Sequence, residues 1–261
     1  MDSTSDISAD KANARERPSY TVKMCPPASG SSGLANNTSS APIDPAVYPD
    51  YIPTDSSSKA NYTYAATHLH SDILRHSLRV YLYAHAIASR EDSAYATDSR
   101  KLTLLFAACI FHDMGTCASH NGLQRFEVEG GDAAAAALRS QGYSEDEAHD
   151  VWVAIAVHTS PGIAERISPL ARLVRLGVAI DFKRPAAMPL SNEDEVLRFE
   201  GKLPRGEIEK VLGDAVANLA LEKFGHDEAA LATKAPGSSW PGGLVKSRRE
   251  NPDWQGVNKA F

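Results

Sequence analysis

Between Leu102 and Thr116 the chain reads Leu-Thr-Leu-Leu-Phe-Ala-Ala-Cys-Ile-Phe-His112-Asp113-Met-Gly-Thr, with no charge before the pair at 112 and 113. A helix that is apolar on every side belongs in a protein interior, so this imidazole and carboxylate enter the core at its end. Ionisable groups there are costly unless they are paired, hydrogen-bonded or bound to a cation. Two further pairs, His149-Asp150 and His226-Asp227, stand in polar surroundings and read as solvated surface. Only the first requires a reason for being buried.

Periodicity supplies partners for it. In Ser71 to Ser89 the apolar residues Ile73, Val80, Tyr83 and Ile87 trace one helical face, and His76 fills the missing position. The run from Lys101 carries Leu102, Leu105 (or Phe106) and Cys109 to His112. Ser144-Glu145-Asp146-Glu147 is a capping box, and the face after it runs Val151, Ile155, His158 until Pro161 ends the helix. Ser168-Pro169 serves as N-cap and N1 of the next helix, whose face runs Leu170, Leu173 (or Val174), Gly177, Asp181. Four helices thus each point a His or an Asp inward. A lone histidine in an apolar stripe is more often a hydrogen-bonded core residue; four such residues on consecutive helices predict a shared metal site.

His76, His112-Asp113 and Asp181 form the order H…HD…D, which resembles the HD-domain superfamily of metal-dependent hydrolases, and within it the cyanamide hydratase-like branch. The segments that carry the resemblance are Arg75-His76-Ser77-Leu78-Arg79-Val80-Tyr81, Phe111-His112-Asp113-Met114-Gly115-Thr116, Arg125-Phe126-Glu127-Val128-Glu129-Gly130-Gly131, Ala156-Val157-His158 and Ala179-Ile180-Asp181. They span roughly residues 60 to 185. The resemblance implies an all-α HD-domain bundle. It makes His76, His112, Asp113 and Asp181 the metal ligands, and places His158 in the pocket beside them. The sequence departs from that branch in two places. Thr159-Ser160-Pro161 stands where an acidic residue follows the pocket histidine, and the segment after Phe199 lacks the branch's Trp- and His-containing pattern. The substrate therefore need not be cyanamide.

Two imidazoles and two carboxylates suit one divalent transition metal, Zn or Fe first and Mn next. Such an ion lowers the pKa of a water from about 15.7 to near 7, and His158, with Asp113 beside it, is the expected catalytic proton carrier. Arg79, Glu127, Glu129 and Thr116 are candidates for contact with ligands or substrate. Glu127 or Glu129 would fix a histidine tautomer, and Arg79, one turn beyond His76, would pair with an acidic residue of the site. His149 and His158, nine residues apart, are half a turn out of phase on one helix, which favours a single metal over two. The function implied first is addition of metal-activated water to a small cyanamide- or nitrile-like C–N compound. A phosphohydrolase using Arg79, Arg125, Lys183 and Arg184 on phosphate is the alternative. A non-catalytic metal-retaining binding module comes third, since no ligand of the pattern is lost.

The 261 residues suffice for one domain plus tails, and a net charge of −6 argues against a protein built to grip nucleic acid or an anionic membrane. A small-molecule substrate is expected, with homo-oligomerisation open. Cys25, Cys109 and Cys117 form no paired framework. No run is long enough to span a bilayer and the start lacks a signal-peptide layout, so the expected location is cytoplasmic. Residues 1–55 read as a flexible arm, 56–230 as the helical domain and 231–261 as an irregular tail packing on or near it. Phe182 to Leu190 is a breaker, and a helix is expected over about Arg205 to Phe224. Gly130-Gly131-Asp132 followed by five alanines reads as the start of a small-sided helix packed closely on a neighbour.

Overall fold

A computed structural model describes residues 49–261. Most of the expected N-terminal arm falls outside these residues. Twelve α-helices follow in order among them: α1 Ser56–His68, α2 Ser71–Arg90, α3 Ala94–Thr97, α4 Ser99–Phe111, α5 Phe126–Ser140, α6 Glu145–Ala156, α7 Ala164–Ile167, α8 Pro169–Asp181, α9 Glu193–Lys202, α10 Ile208–Phe224, α11 Glu228–Lys234 and α12 Trp240–Glu250. No strand occurs among the described residues. The all-α bundle expected from the sequence is the fold observed among the described residues.

α4 is the axis of the bundle, with every residue from Thr103 to Phe111 buried. α1, α2, α5, α6 and α8 pack around it. Its start is fixed by Asp98, whose side chain accepts from Lys101 N at 2.9 Å. α6 opens with the predicted capping box of Ser144 and Glu147. α8 opens with Ser168 accepting from Ala171 N, and Pro169 in the first turn.

Two glycines set how closely the site-bearing helices approach. A Cβ on Gly177 would lie 2.5 Å from the carbonyl oxygen of Val80, so only glycine lets α8 lie against the backbone of α2. His76 and Asp181 project from these two helices. A Cβ on Gly130 would stand 2.8 Å from Phe111 O and 3.1 Å from His112 O, so α5 crosses directly behind the His112 backbone. The small-sided helix does pack closely, but it begins at Phe126, four residues before Gly130. The glycines lie inside it as contact surface, with Glu127 and Glu129 in the first turn complementing the helix dipole.

The C-terminal portion is more ordered than its glycines and prolines suggest. α9 follows the Phe182–Leu190 breaker, capped by Asn192 on Glu195 N at 2.7 Å. α12 lies inside the expected irregular tail. Ser239 caps it by accepting from Gly242 N at 3.2 Å, with Pro241 in its first turn. Gly242 there abuts the Pro236 carbonyl, where no Cβ fits. The breakers are used as a cap and a close contact.

Candidate metal centre

His76 sits in the second turn of α2, His112 caps α4, and Asp113 follows it; all three are buried. His76 Nε2 lies 3.1 Å from His112 Nε2 and 3.6 Å from Asp113 Oδ2. His112 Nε2 lies 3.2 Å from the same oxygen. The three ligand atoms all fall within 4.8 Å of one another, and this is the one such group among the described residues.

The hydrogen bonds behind the rings decide what these atoms are. His112 Nδ1 is 2.7 Å from Cys109 O, and a carbonyl only accepts, so Nδ1 carries the proton. His76 Nδ1 is 2.6 Å from Asp181 Oδ2, and a carboxylate imposes the same tautomer. His158 Nδ1 donates in the same way to Ile155 O at 2.7 Å. In the neutral rings each Nε2 is therefore a lone pair. Those of His76 and His112 face Asp113 Oδ2, which is buried without a hydrogen-bond partner. Acceptors converge with no donor between them. A divalent cation satisfies that arrangement, so the residues fit the metal that the H…HD pattern implies.

The imidazoles and carboxylates also shift one another's pKa values. Burial alone would raise the Asp113 carboxyl, but the positive charge that His112, His76 and His158 can carry beside it outweighs burial and takes it down to about 2. Burial lowers His76 against the pull of Asp181, and the Asp113 charge leaves His112 raised despite its burial. Burial first, then repulsion from His112, push His158 down to about 4.

Asp181 stands elsewhere than the sequence pattern implies. It lies behind His76, on the Nδ1 side, and is not among the three residues whose atoms converge. Its carboxylate is spent: Arg79 Nε donates to Oδ1 at 2.6 Å and Nη2 to Oδ2 at 2.9 Å. Arg79 is fully buried and also donates to Leu203 O at 2.9 Å. Arg205 donates to the Asp181 carbonyl. In this arrangement Asp181 orients His76, as a carboxylate commonly does for a ligand histidine.

His158, just past the end of α6, presents its ring edge-on to His112 at 4.9 Å between centroids, with Nε2 3.7 Å from Asp113 Oδ1. Thr116 donates to Asp113 O at 2.6 Å and so holds the backbone of the turn. Glu127 is buried beside the site and bonded to Arg125 and Thr159; it bonds no histidine. Glu129 points away: it accepts from Gln124 N at 2.9 Å, and burial raises its pKa. His120 pairs with the Tyr64 hydroxyl at 2.8 Å, and exposed His149 stacks on Trp152. Neither reaches the centre.

A cavity of about 600 Å³ opens from His76, His112, Asp113 and His158. Phe182, Leu212 and Trp240 form an apolar wall, and Arg125, Arg175 and Arg184 supply positive charge. Lys183 turns away to Glu200. Phe261 packs edge-on behind both Phe182 and Trp240. Sequence reasoning missed Arg175 and Phe261. No local signal separates Arg175 from Arg172, one turn earlier, which pairs with Glu91 at the surface.

Residues 73–198 match the HD domain family. That family is one of metal-dependent hydrolases, and the matched stretch contains every residue of the centre. Among curated proteins the chain is similar to Ribonuclease Y 2 of Levilactobacillus brevis, 32% identical over 161 residues. The alignment takes in 62% of this chain and 23% of that relative, so the chain spans about a quarter of its length. The family match goes no further than the HD domain over residues 73–198, and the cyanamide hydratase-like branch is a finer assignment that neither comparison reaches. No helix of the described residues is long and apolar enough to cross a membrane.

Proposed function

We propose that this HD domain hydrolyses a small substrate carrying an anionic group, a phosphoester before any other class. The observation that carries the reading is the charge of the cavity: Arg125, Arg175 and Arg184 line it, and Asp113 is its one lining carboxylate. The expectation of a C–N substrate rested on the resemblance to the cyanamide hydratase-like branch, and the net charge of −6 argued against anionic partners such as nucleic acid. Net charge describes the whole surface, whereas a substrate responds to the local field of a cleft. A cavity of about 600 Å³ also exceeds the needs of a three-heavy-atom nitrile.

A divalent ion at His76, His112 and Asp113 would supply Lewis acidity and an acidified water. The chain's own groups do the rest. Asp181 and Cys109 O fix the tautomers of the two ligand rings. His158 holds its Nε2 lone pair toward Asp113 and is placed to take the proton of the attacking water. As the new P–O bond forms and the ester bond breaks, the proton passes to the leaving oxygen. The arginines hold the non-reacting oxygens of phosphate, which they can meet with two parallel N–H bonds.

Hydration of a C–N compound, with hydroxide adding to carbon and a proton to nitrogen, is the second reading. It is favoured by the motif segments and by the apolar wall of Phe182, Leu212 and Trp240. The test is metal analysis of the purified protein followed by a panel of aryl phosphate, nucleoside monophosphates, a short RNA, cyanamide and nitriles. Turnover is expected on a phosphoester. Turnover of cyanamide or a nitrile above every phosphoester would reverse the order.

A further inference from the structure

Glu127 is fully buried, yet it neither lines the cavity nor bonds a ligand histidine. Its Oε1 accepts from Thr159 Oγ1 at 2.6 Å and from Arg125 Nη2 at 2.6 Å, and Oε2 accepts from Arg125 Nε at 3.3 Å. Arg125 Nη2 also reaches Thr159 Oγ1 at 3.4 Å. Arg125 and Thr159 both line the metal cavity. The carboxylate thus stands behind two lining side chains, joining the first turn of α5 to the segment after His158.

Guanidinium has five N–H groups in a rigid fork. Glu127 takes the Nε and Nη2 side, and no hydrogen bond among the described residues uses Arg125 Nη1. The other two arginines are held by longer bonds: Arg175 donates to Glu165 at 3.4 Å and to His158 O at 3.2 Å, and Arg184 donates to Phe261 O at 3.3 Å. An arginine left to itself would spread over many rotamers, and ordering it on binding would cost affinity.

We propose that Glu127 is a positioning residue, holding Arg125 with its Nη1 edge toward the cavity so that this edge meets an anionic oxygen of the substrate. The inference rests on the anionic-substrate reading and adds the device that makes one of the three arginines specific. Thr159, by donating to the same carboxylate, closes the support from the other side.

The probe is inorganic phosphate, bound by the metal-replete full chain and followed by calorimetry and by competition with the phosphoester substrate. Glu127→Gln keeps the shape and removes the charge. It should weaken phosphate binding and raise KM about tenfold, a change the size of one charge-assisted hydrogen bond, while kcat stays within about threefold. Metal content should not change. In an Arg125→Ala background the same substitution should add little, because the two act as one unit. An unchanged phosphate Kd in Glu127→Gln, or a full effect persisting without Arg125, overturns the proposal. If Glu127→Gln does not fold, Arg125→Lys, which keeps a counter-charge for buried Glu127 and loses the guanidinium fork, decides; an unchanged Kd there overturns the proposal equally. Wild type that binds no phosphate at all would remove the anionic reading itself, an outcome distinct from failure of the positioning role alone.

Discussion

Two cavities of similar size flank the end of α4, about 600 Å³ where His112 lines the wall and about 510 Å³ where its neighbour Phe111 does. Both contain histidine and a carboxylate, and they differ in how their polar atoms are spent. In the first, the Nε2 atoms of His76 and His112 and the unpartnered Asp113 Oδ2 converge as acceptors alone. In the second, His120 pairs with Tyr64, and Glu129 accepts from Gln124 N. Its amides Asn61 and Gln141 bond each other at 2.7 Å and leave the Asn61 NH2 as a donor and the Gln141 and Asn121 carbonyl oxygens as acceptors. Water satisfies a mixture of donors and acceptors; a cluster of acceptors calls for a cation. Volume does not make the site. The sign of its unspent hydrogen-bonding capacity does.

The hardest test of this contrast is Asp113→Ala set beside Asp181→Asn. Removing Asp113 takes away charge and an unpartnered ligand atom, so elemental analysis should find the metal gone. Asp181 acts from behind His76, so Asp181→Asn should retain metal with affinity lowered about 10–100-fold. It should also lose about 3–5 kcal/mol of stability, because fully buried Arg79 is left without its counter-charge. Loss of metal from both variants alike would make Asp181 a ligand, as the sequence pattern implies, and its place behind His76 would not survive metal binding.

His158→Ala probes the same cavity one step from the cluster. The expected result is unchanged metal content and a rate about 10²–10⁴-fold lower. A histidine that only fills the core would show a lower melting temperature with turnover per folded molecule intact. Departure of the metal would make it a further ligand. Metal content, melting temperature and turnover measured on one variant separate the three.

The sequence made the first cavity legible and left the second unread for the same reason. His76, His112, His158 and Asp181 each continue an apolar stripe, and a stripe reports which way a side chain faces within one helix. It does not report which atom of that side chain meets which neighbour. The resemblance makes Asp181 a metal ligand, whereas its partner Arg79 holds it on the far side of His76. Arg79 was itself a candidate for pairing with an acidic residue; the identity of that residue depends on the close approach of α2 and α8 at Gly177. Arg175 and Phe261 were beyond reach because long-range packing places them. The helix α12 hidden in a Gly/Pro-rich stretch shows the limit of composition, since Ser239 and Pro241 there begin a helix.

The smallest expected effect is the one that would most damage the comparison if it failed. His120→Ala removes an imidazole from the second cavity, where burial already lowers its pKa and it faces the Tyr64 hydroxyl. It stands seven residues along the chain from Asp113, the nearest catalytic candidate, and lines the cavity beside Phe111 rather than the one beside His112. The lost hydrogen bond should cost about 0.5–1.5 kcal/mol of stability. Metal content should be unchanged, and turnover per folded molecule should stay within about twofold, since a surface-side loss with no contact to the reacting atoms has no route into the barrier. Glu129→Gln should behave likewise, its carboxylate being bonded to the Gln124 backbone and facing away from the ligands. A tenfold fall in kcat from either variant, with metal retained, would mean that the two cavities are coupled through Phe111 and His112. The separation drawn from their hydrogen bonds would then have to be replaced by a single site with two mouths.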